Sequence, residues 1–367
     1  MKCNVSKYTI ITMILLLCLN NTLLAQKNSK LITGKIINKH TKQPIQNVEI
    51  FISGTTIGTT TGKDGTFSIK SPYIPCHLGV THVSYQSRVF TITSASHLNI
   101  ELILNSRNIN EVKVKGKNLR RKNLRLFYKY FMLNADREQI KILNDSVLKF
   151  KRSEYNFHAY CKSPLLIENR YLGYRIKVLI QDFSICKKQQ PGGKNVKLKS
   201  ISGEDSYKLS AFYFYENLPT KNALHIQNIA LNRRGHYYGS LRHFLTSLYF
   251  KKLNSNGYLI KHHSDSTVAA FTLTYEERNL KRYKFNKDLL NVTYYYDNEQ
   301  RPKQLPLTMG EYFYSNTTFM SLGKEFDVRP NGTSSNLSFE IRGDMGQRSL
   351  VNTLPNDYEP SFLISPR

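Results

Sequence analysis

Between residues 31 and 105 the chain is a series of short β-prone segments separated by turn residues, and this spacing constrains the fold most. Val48, Ile50 and Ile52 alternate against polar Asn47 and Glu49, which predicts a strand with one buried face. Asp64-Gly65 predicts a tight turn, because this dipeptide tolerates a positive φ. About seven such strands predict a small β-sandwich.

Three runs in this segment carry a family resemblance: Gly34-Lys-Ile-Ile, Gln43-Pro-Ile-Gln-Asn-Val-Glu-Ile-Phe-Ile, and Gly54-Thr-Thr-Ile-Gly-Thr-Thr-Thr-Gly-Lys-Asp-Gly-Thr-Phe-Ser-Ile. Together they resemble the carboxypeptidase regulatory-like domain, a transthyretin-like sandwich. Ile109-Asn-Glu-Val-Lys-Val-Lys-Gly is similar to the segment that follows this module in outer-membrane receptor proteins. The resemblance implies the envelope of a Gram-negative bacterium. It implies no peptidase activity, because in that family the sandwich accompanies a separate catalytic domain.

Residues 1–25 have the pattern of an export signal. Lys2 and Lys7 precede a short apolar run at 10–19, and Ala25 provides a small residue for the signal peptidase. A run this short does not comfortably span about 30 Å of hydrocarbon. The alternative is a buried N-terminal helix. No later stretch approaches about 18 unbroken apolar residues, so we expect no membrane-spanning helix in the mature chain.

The charge balance narrows the class of protein further. Lys and Arg number 53 against 26 Asp and Glu, which gives a formal net charge of +27. That is too basic for an average soluble enzyme, while 40% apolar residues are too many for a disordered polycation. A basic exported surface favours anionic partners such as acidic glycans and lipid head groups. Export argues against a specific nucleic-acid partner.

A basic helical connector is predicted at residues 107–150. Residues 113–129 include eight basic side chains and no acid, and Phe127 and Phe131 lie on the other side of the helical wheel. Such a helix either lies on an anionic surface or docks on the next domain and presents a solvated basic face. Residues 136–143 predict a second short helix. The candidate polyanion-binding residues are Arg120, Arg121, Lys122, Arg125 and Lys129.

Strand patterns dominate the remainder of the chain. Ile176, Val178 and Ile180 alternate with Arg175, Lys177 and Gln181, which predicts a half-buried strand. An apolar stripe predicts one helix at 240–253. The expected fold class is therefore mainly β and α+β overall, with one or two helices in a larger antiparallel β-rich domain. The predicted organisation is a signal peptide at 1–25, the sandwich at 31–106, the connector at 107–150 and the β-rich domain at 151–367.

Further runs lie in the larger region: Pro164-Leu-Leu-Ile-Glu-Asn-Arg-Tyr-Leu-Gly-Tyr-Arg-Ile, Tyr238-Gly-Ser-Leu-Arg-His-Phe-Leu and Leu354-Pro-Asn-Asp-Tyr-Glu-Pro. They resemble a family of uncharacterised envelope proteins that carry the same N-terminal sandwich. No activity is known for that family, so the resemblance implies architecture and compartment only.

Three cysteines follow the predicted leader, namely Cys76, Cys161 and Cys186. An odd number in an oxidising compartment allows one internal bridge, and Cys161 and Cys186 are the favoured pair because each ends a predicted strand in the same region. The alternative is three buried small hydrophobic residues. No CxxC motif supports thiol redox chemistry or a zinc ribbon.

Glu168 is the single catalytic candidate. It lies between apolar residues and is followed by Arg170 and Arg175, so it is either a structural ion pair or an acid held by cationic neighbours. Neither HExxH nor GxSxG is present to support a standard peptidase or hydrolase. The carboxylates that could act with Glu168 are Asp182, Glu204 and Asp205.

The sequence thus predicts an exported, non-enzymatic cell-envelope protein in the periplasm, at the outer membrane or on the cell surface. It would bind or scaffold through envelope proteins and anionic glycans or lipid head groups. The alternative is an envelope hydrolase that acts on a glycan or peptide through Glu168. His236, His243, His262 and His263 are too scattered to predict a metal site, and no cofactor is expected.

Overall fold

The structure is a computed structural model of the 367-residue chain. It describes residues 29–95, 97–105, 116–133, 135–153, 156–186, 206–262, 265–266, 270–277, 279–297, 301–303, 313–322, 325–334, 336, 339–346 and 350–360. The predicted signal peptide lies outside these residues. The described chain divides into two compact units, one formed by residues 29–52 and 57–104 and the other by residues 53–56 and 105–360.

The first unit is the predicted sandwich, and all seven expected strands are present. One sheet has the order β4-β1-β7 and the other β3-β2-β5-β6. Ile32, Ile36, Val48, Leu78 and Val80 are fully buried in its core. The strands are β1 (Lys30–Asn38), β2 (Glu49–Ile52), β3 (Gly58–Thr60), β4 (Thr66–Ser71), β5 (Cys76–His82), β6 (Tyr85–Ile92) and β7 (His97–Leu102).

The Asp64-Gly65 turn before β4 explains one local choice of sequence. Gly65 has a φ of +76°, and a Cβ at this position would lie 2.6 Å from the carbonyl oxygen of Ile36. The Asp64 carboxylate accepts hydrogen bonds from the Thr66 backbone N–H and hydroxyl at 3.1 and 2.8 Å. The bond from the backbone N–H is the main reason that the pKa of Asp64 lies below its usual value.

The second unit begins with helix α1 (Gly116–Phe131) and a six-stranded sheet. Its longest strand, β12, pairs along its whole length with β13 on one side. On its other side it pairs first with β11 and then with β10, and β8 and β9 form the outer edges. The strands are β8 (Ile140–Ile142), β9 (Leu148–Arg152), β10 (Asn156–Cys161), β11 (Leu165–Asn169), β12 (Tyr174–Cys186) and β13 (Ser206–Asn217).

One face of this sheet is buried beneath α1. Phe127 and Phe131 of the helix pack on Phe183 of β12, with ring centroids 5.2 and 6.2 Å apart. Ile176 and Val178 are fully buried on the same face. The predicted alternation of β12 is therefore confirmed, and α1 buries the side of its wheel that the sequence indicated.

The prediction of a second short helix at residues 136–143 is wrong. Residues 140–142 form β8, in which buried Ile140 and half-buried Ile142 alternate with exposed Lys141. The strand pairs with β11 through Ile142 and Ile167. An alternation over three residues is too short to distinguish a strand from a helix by periodicity alone.

The predicted pairing of Cys161 with Cys186 is also wrong. In the β10–β12 ladder Cys186 lies opposite Asn156, five residues from Cys161, so the two Cα atoms are about 17 Å apart. A disulfide needs Cα atoms within about 7 Å. Cys161 is a free thiol, and Cys76 and Cys161 are both buried, as the alternative expected of them. Burial raises the pKa of the Cys161 thiol.

The remainder of the second unit contains two helices, α2 (Ala223–Tyr237) and α3 (Leu241–Tyr249), and two antiparallel sheets. Helix α3 lies within the predicted segment 240–253, and the side chain of Ser240 caps its N-terminus. The sheet orders are β15-β14-β18-β19-β21 and β16-β17-β20. The strands are β14 (Tyr258–His262), β15 (Asp265–Ser266), β16 (Phe271–Glu277), β17 (Leu280–Phe285), β18 (Leu289–Tyr296), β19 (Phe313–Ser321), β20 (Phe326–Val328) and β21 (Phe339–Gly343).

Arg242 joins α3 to two distant segments of the second unit. Its guanidinium donates hydrogen bonds to the carbonyl oxygens of Asn331 at 2.9 Å, Pro355 at 2.6 Å and Tyr358. It also lies over the Tyr237 ring, 5.4 Å from the ring centroid. Burial lowers the pKa of Arg242. Its bonds hold the C-terminal segment through backbone carbonyls.

The fold class is mainly β with α+β character, as predicted from the sequence. Three helices and 21 strands occur in the described part of the chain. None of the helices described is both long and apolar enough to cross a membrane.

Candidate functional site

The face of the six-stranded sheet opposite α1 carries many charged side chains. Because side chains alternate across a strand, the register places one set of residues together on this side, which we call the outer sheet face. Its charged members are Lys141, Lys149, Lys151, Arg175, Lys177, Lys208, Glu168, Asp182 and Glu216. His158, Tyr160, Phe212 and Phe214 lie on it as well.

Glu168 lies at one end of the outer sheet face, and its carboxylate is engaged by two arginines. The Arg170 Nε donates to Oε1 at 2.8 Å, and the Arg175 Nη2 lies 3.8 Å from Oε2. The Glu168 side chain is only 16% exposed. Lys141 and Arg175 are its cross-strand neighbours. This geometry is that of an ion pair that helps to hold β11 on β12.

The other two carboxylates of the face are engaged in the same way. Asp182 accepts a hydrogen bond from His158 Nδ1 at 2.9 Å, and Glu216 pairs with Lys177 Nζ at 2.8 Å. All three described acids of the face therefore have a basic partner. The negative charge on this surface is locally compensated, whereas most of its positive charge is not.

Four lysines of the outer sheet face remain without a carboxylate partner within the described residues. Lys141, Lys149, Lys151 and Lys208 are all exposed. Lys151 Nζ lies 5.5 Å from the centroid of the Tyr160 ring, within cation–π range. The lysines near Asp182, namely Lys149, Lys151 and Lys208, therefore lie beside half-buried aromatic rings, whereas Lys141 lies at the other end of the face beside Glu168.

These lysines were not predicted as a group, because no local sequence pattern connects them. Lys141 and Lys208 are 67 positions apart, and only the strand register brings their side of the sheet together. The available signal was alternation: each lysine occupies the polar position of a strand. Alternation shows which face a residue takes but not which strands are neighbours.

The basic residues predicted on α1 divide into two groups. Arg120 donates hydrogen bonds to the carbonyl oxygens of Leu148 at 3.1 Å and Asp145 at 2.8 Å, so it ties the helix to the sheet. Arg121, Lys122 and Arg125 are exposed, and no described carboxylate lies within ion-pair distance of them.

Lys129 lies over the Tyr130 ring, with Nζ 4.9 Å from its centroid. Because α1 covers the opposite face of the sheet, these helical residues are not part of the outer sheet face.

The structure does not bring Glu168 and Asp182 together. Glu168 lies opposite Arg175, and Asp182 lies seven positions farther along β12, which corresponds to about 20 Å. Glycosidase carboxyl groups lie about 5 to 9.5 Å apart. Glu204 and Asp205, the other two candidates, lie outside the described residues.

The candidate histidines occupy separate elements. His236 is on α2, and His243 is buried on α3. His243 Nδ1 accepts a hydrogen bond from the Gly239 N–H at 3.3 Å and lies 2.8 Å from the Tyr258 hydroxyl. Since a backbone N–H can only donate, this nitrogen carries no proton. Among the residues with described positions, no three His, Cys, Asp or Glu side chains could hold a metal ion together.

A buried cluster of arginine and tyrosine lies beside the C-terminal segment. Arg233 stacks over Tyr174, with its guanidinium carbon 3.8 Å from the ring centroid, and donates to the Leu172 carbonyl oxygen at 2.7 Å. Burial raises the pKa of Tyr174 and of Tyr358 to about 12 in each case. The Arg233 donors are directed to the carbonyl oxygens of Leu172 and Gly173 and to Asn217 Oδ1, so this cluster holds the fold together.

Comparison with solved structures finds distant likenesses. A type II cohesin–X-dockerin complex from Acetivibrio cellulolyticus is 21% identical over 23% of this chain and 64% of its own, with a TM-score of 0.19. A DUF3823 family protein from Bacteroides ovatus is 10% identical over 52% of this chain and 82% of its own, with a TM-score of 0.17.

A Bacteroides uniformis protein to which carbohydrate binding is ascribed is 8% identical over 77% of this chain and 94% of its own, with a TM-score of 0.18. The match to the cohesin–X-dockerin complex covers 64% of that chain, so this chain spans less than two thirds of its length.

No match to a curated protein was found. A family model does match the N-terminal region: residues 32–114 correspond to the CarboxypepD_reg-like domain. This is the domain that the sequence resemblance predicted, and the seven strands of the first unit have the sandwich arrangement expected of it. Residues 32–114 are therefore a CarboxypepD_reg-like domain.

Proposed function

We propose that the protein is an exported, non-enzymatic cell-envelope protein that binds anionic glycans through its outer sheet face. One observation carries this proposal: the face has six basic and three acidic residues among those described, and each acid already has a basic partner. Lys141, Lys149, Lys151 and Lys208 are left to attract an anion.

The proposed location is the periplasm, the outer membrane or the cell surface of a Gram-negative bacterium. The pattern of the first 25 residues supports export. The CarboxypepD_reg-like domain supports an envelope setting through the resemblance described above. Envelope proteins are the expected protein partners, because the chain joins this domain to a larger β-rich unit.

The physical basis of binding is local charge excess on a partly apolar sheet surface. Exposed lysines attract carboxylate or sulfate groups, with an attraction that falls off over a Debye length of about 8 Å at physiological salt. The rings of Tyr160, Phe212 and Phe214 offer apolar surface on the same face. A charged sugar polymer presents both features, because its acidic groups alternate with less polar ring faces.

The test uses residues 26–367 and two soluble polymers, polygalacturonate and uncharged dextran. We expect polygalacturonate to bind and dextran not to bind at the outer sheet face. Affinity for polygalacturonate should fall steeply between low and physiological salt, because the attraction is screened. Isothermal titration calorimetry at several salt concentrations measures both.

Charge reversal locates the site. A basic residue near an anionic surface contributes about 1 kcal/mol, so Lys149→Glu with Lys151→Glu should cost at least about 2 kcal/mol, or about thirtyfold in Kd. The matched control is Lys35→Glu with Lys70→Glu, which removes the same charge from exposed strand positions of the first unit. Equal losses in the two double variants would show that only net charge matters and would refute the assigned face.

A hydrolase acting through Glu168 is the second candidate, and one geometric observation favours it. Glu168 and Glu216 both lie opposite Arg175, on the strands at its two sides, so their Cα atoms are about 10 Å apart on one face. Against it, both carboxylates are engaged by basic groups. Glu168→Gln separates the alternatives: the hydrolase loses release of reducing sugar, whereas the binding protein keeps its affinity for polygalacturonate.

A further inference from the structure

A second, uncharged sheet surface lies on the five-stranded sheet, outside the proposed glycan-binding face. Strands β18 and β19 pair there through three successive cross-strand pairs, Asn291–Thr318, Thr293–Asn316 and Tyr295–Tyr314. Successive pairs on one face are about 7 Å apart along the strands. The intervening residues of β18, Val292 and Tyr294, are buried in the core. We call these six side chains the Asn/Tyr face.

Hydrogen bonds across the strands orient the amide groups of this face. The Thr293 hydroxyl donates to Asn316 Oδ1 at 2.8 Å, and the Thr318 hydroxyl donates to Asn291 Oδ1 at 3.1 Å. Each threonine therefore occupies a carboxamide oxygen. Both asparagines are exposed, and their NH2 groups have no partner within the described residues. The face thus presents amide donors next to hydroxyl acceptors.

The pair at one end of the Asn/Tyr face is aromatic. The rings of Tyr295 and Tyr314 are 6.2 Å apart with an interplanar angle of 50°, and Tyr314 is 61% exposed. A tyrosine combines an apolar ring with a hydroxyl that remains in water. An exposed ring at the end of a hydrogen-bonding row matches a ligand that has both an apolar face and a polar rim.

The charges around this face nearly balance. Lys261, Lys303 and Arg342 carry three positive charges, while Glu340 and Asp344 carry two negative ones. Arg342 Nη2 lies 3.7 Å from Glu340 Oε2, and the Asp344 carboxylate accepts the Asn316 backbone N–H at 2.8 Å. The excess among the described residues is one positive charge, against three on the outer sheet face. Amide, hydroxyl and aromatic groups dominate this surface, so the matching ligand is uncharged.

We propose that the Asn/Tyr face binds a neutral oligosaccharide along the β18–β19 pair. A sugar ring has weakly polar C–H faces and a rim of hydroxyl groups that both donate and accept. One ring stacks on Tyr314, and hydroxyl groups of its neighbours accept from the amides of Asn316 and Asn291. An open sheet face admits an extended chain and gives modest affinity, because few groups of the ligand are buried.

The experiment measures binding of cellohexaose, xylohexaose, mannohexaose and laminarihexaose to residues 26–367 by isothermal titration calorimetry. We expect at least one of them to bind, with an affinity that changes little with salt. Tyr314→Ala should weaken it about tenfold through loss of stacking. Tyr314→Phe, which keeps the ring, should bind nearly as well as the unsubstituted protein. Asn291→Ala should weaken binding about fivefold.

Phe313→Ala is the matched control. Phe313 is the neighbouring residue of β19 and is 48% exposed, but its side chain lies on the opposite side of the strand and stacks on Tyr296 at 5.8 Å. It should bind as well as the unsubstituted protein. Binding of none of the four sugars, or equal losses in Phe313→Ala and Tyr314→Ala, overturns the proposal.

The Lys149→Glu/Lys151→Glu variant separates this site from the proposed anionic site. It should keep its affinity for the neutral sugar while it loses polygalacturonate, and Tyr314→Ala should do the reverse. Loss of the neutral sugar in the lysine variant would place that sugar on the outer sheet face, contrary to the proposal.

Discussion

Replacing Arg242 by methionine should detach the C-terminal segment from the second unit. The guanidinium donates to three backbone carbonyls, and a hydrogen bond to a charged group contributes about 1.5 to 3 kcal/mol. Methionine keeps most of the aliphatic length but supplies no donor. The partners lose their bonds together, and water recovers part of that loss. We therefore expect about 3 to 5 kcal/mol of destabilisation of the second unit.

The loss of stability should be largest in the C-terminal segment that contains the acceptors Pro355 and Tyr358. Urea unfolding gives the change in free energy, and amide hydrogen exchange shows where it falls. A loss of 3 kcal/mol corresponds to roughly a hundredfold faster exchange at residues 350–358. Arg242→Lys should recover only part of the stability, because an ammonium group lacks the planar fork that reaches several acceptors.

Arg121→Met is the control for this prediction. Arg121 is exposed on α1, and methionine has a similar helix propensity, so the change should stay within about 0.5 kcal/mol. The reasoning is refuted if Arg242→Met also changes stability by less than that and leaves exchange at 350–358 unaltered. The carbonyls of Pro355 and Tyr358 would then be satisfied equally well by water.

Two further predictions concern a turn and a buried cluster. Gly65→Ala should destabilise the first unit by at least about 2 kcal/mol in urea unfolding, because the φ of Gly65 is positive and the new Cβ meets the Ile36 carbonyl oxygen. Gly62→Ala is the control and should cost clearly less, because its Cβ would lie 3.1 Å from the Asp64 carboxylate, which can shift. Equal costs in the two variants would contradict the prediction. The pKa of Tyr174 and Tyr358 is raised from 10.0 to about 12, so folding favours the neutral phenols, and the stability this contributes is complete below pH 10 and lost as pH rises from 10 to 12. Ultraviolet titration should show these two tyrosines ionising after the exposed ones, and ionisation of all tyrosines near pH 10 in the folded protein would contradict the burial.

The strands were predictable where one face is buried and the other is exposed to solvent. Ile176 is fully buried between half-buried Arg175 and Lys177, and this difference is what alternation in the sequence records. Helix α3 was predictable for the equivalent reason at helical spacing. Its buried stripe includes Phe244, Leu245 and Leu248.

Helix α2 was not predicted, because its apolar residues do not form a buried stripe. Leu224, Ile226 and Leu231 are 66, 49 and 47% exposed, and Ile229 and Tyr237 are its buried residues. With apolar residues on several sides, the segment has no period that distinguishes a helix from a loop. Contacts with the rest of the unit, such as the stacking of Arg233 on Tyr174, hold its second half in place.

The candidate site was only partly predictable for a different reason. The ion pairing of Glu168 follows from neighbours two and seven positions away, and both were visible in the sequence. The lysines of the outer sheet face come from four strands, and the order of strands in a sheet depends on long-range pairing that no local pattern records. The same missing information made Cys161 and Cys186 appear to be partners.

The β-bulge in β12 changes which side chains of the strand face α1. Ile180 pairs with Ala211 and Asp182 with Ser210, so Gln181 is an extra residue that the neighbouring strand does not match. In an unbroken ladder Asp182 would point toward α1 and Phe183 toward solvent. The extra residue offsets the alternation by one position. Even-numbered residues up to Ile180 and odd-numbered residues from Phe183 therefore lie on the same buried face of one strand. At this point the fold depends on the number of residues more than on which residue is present.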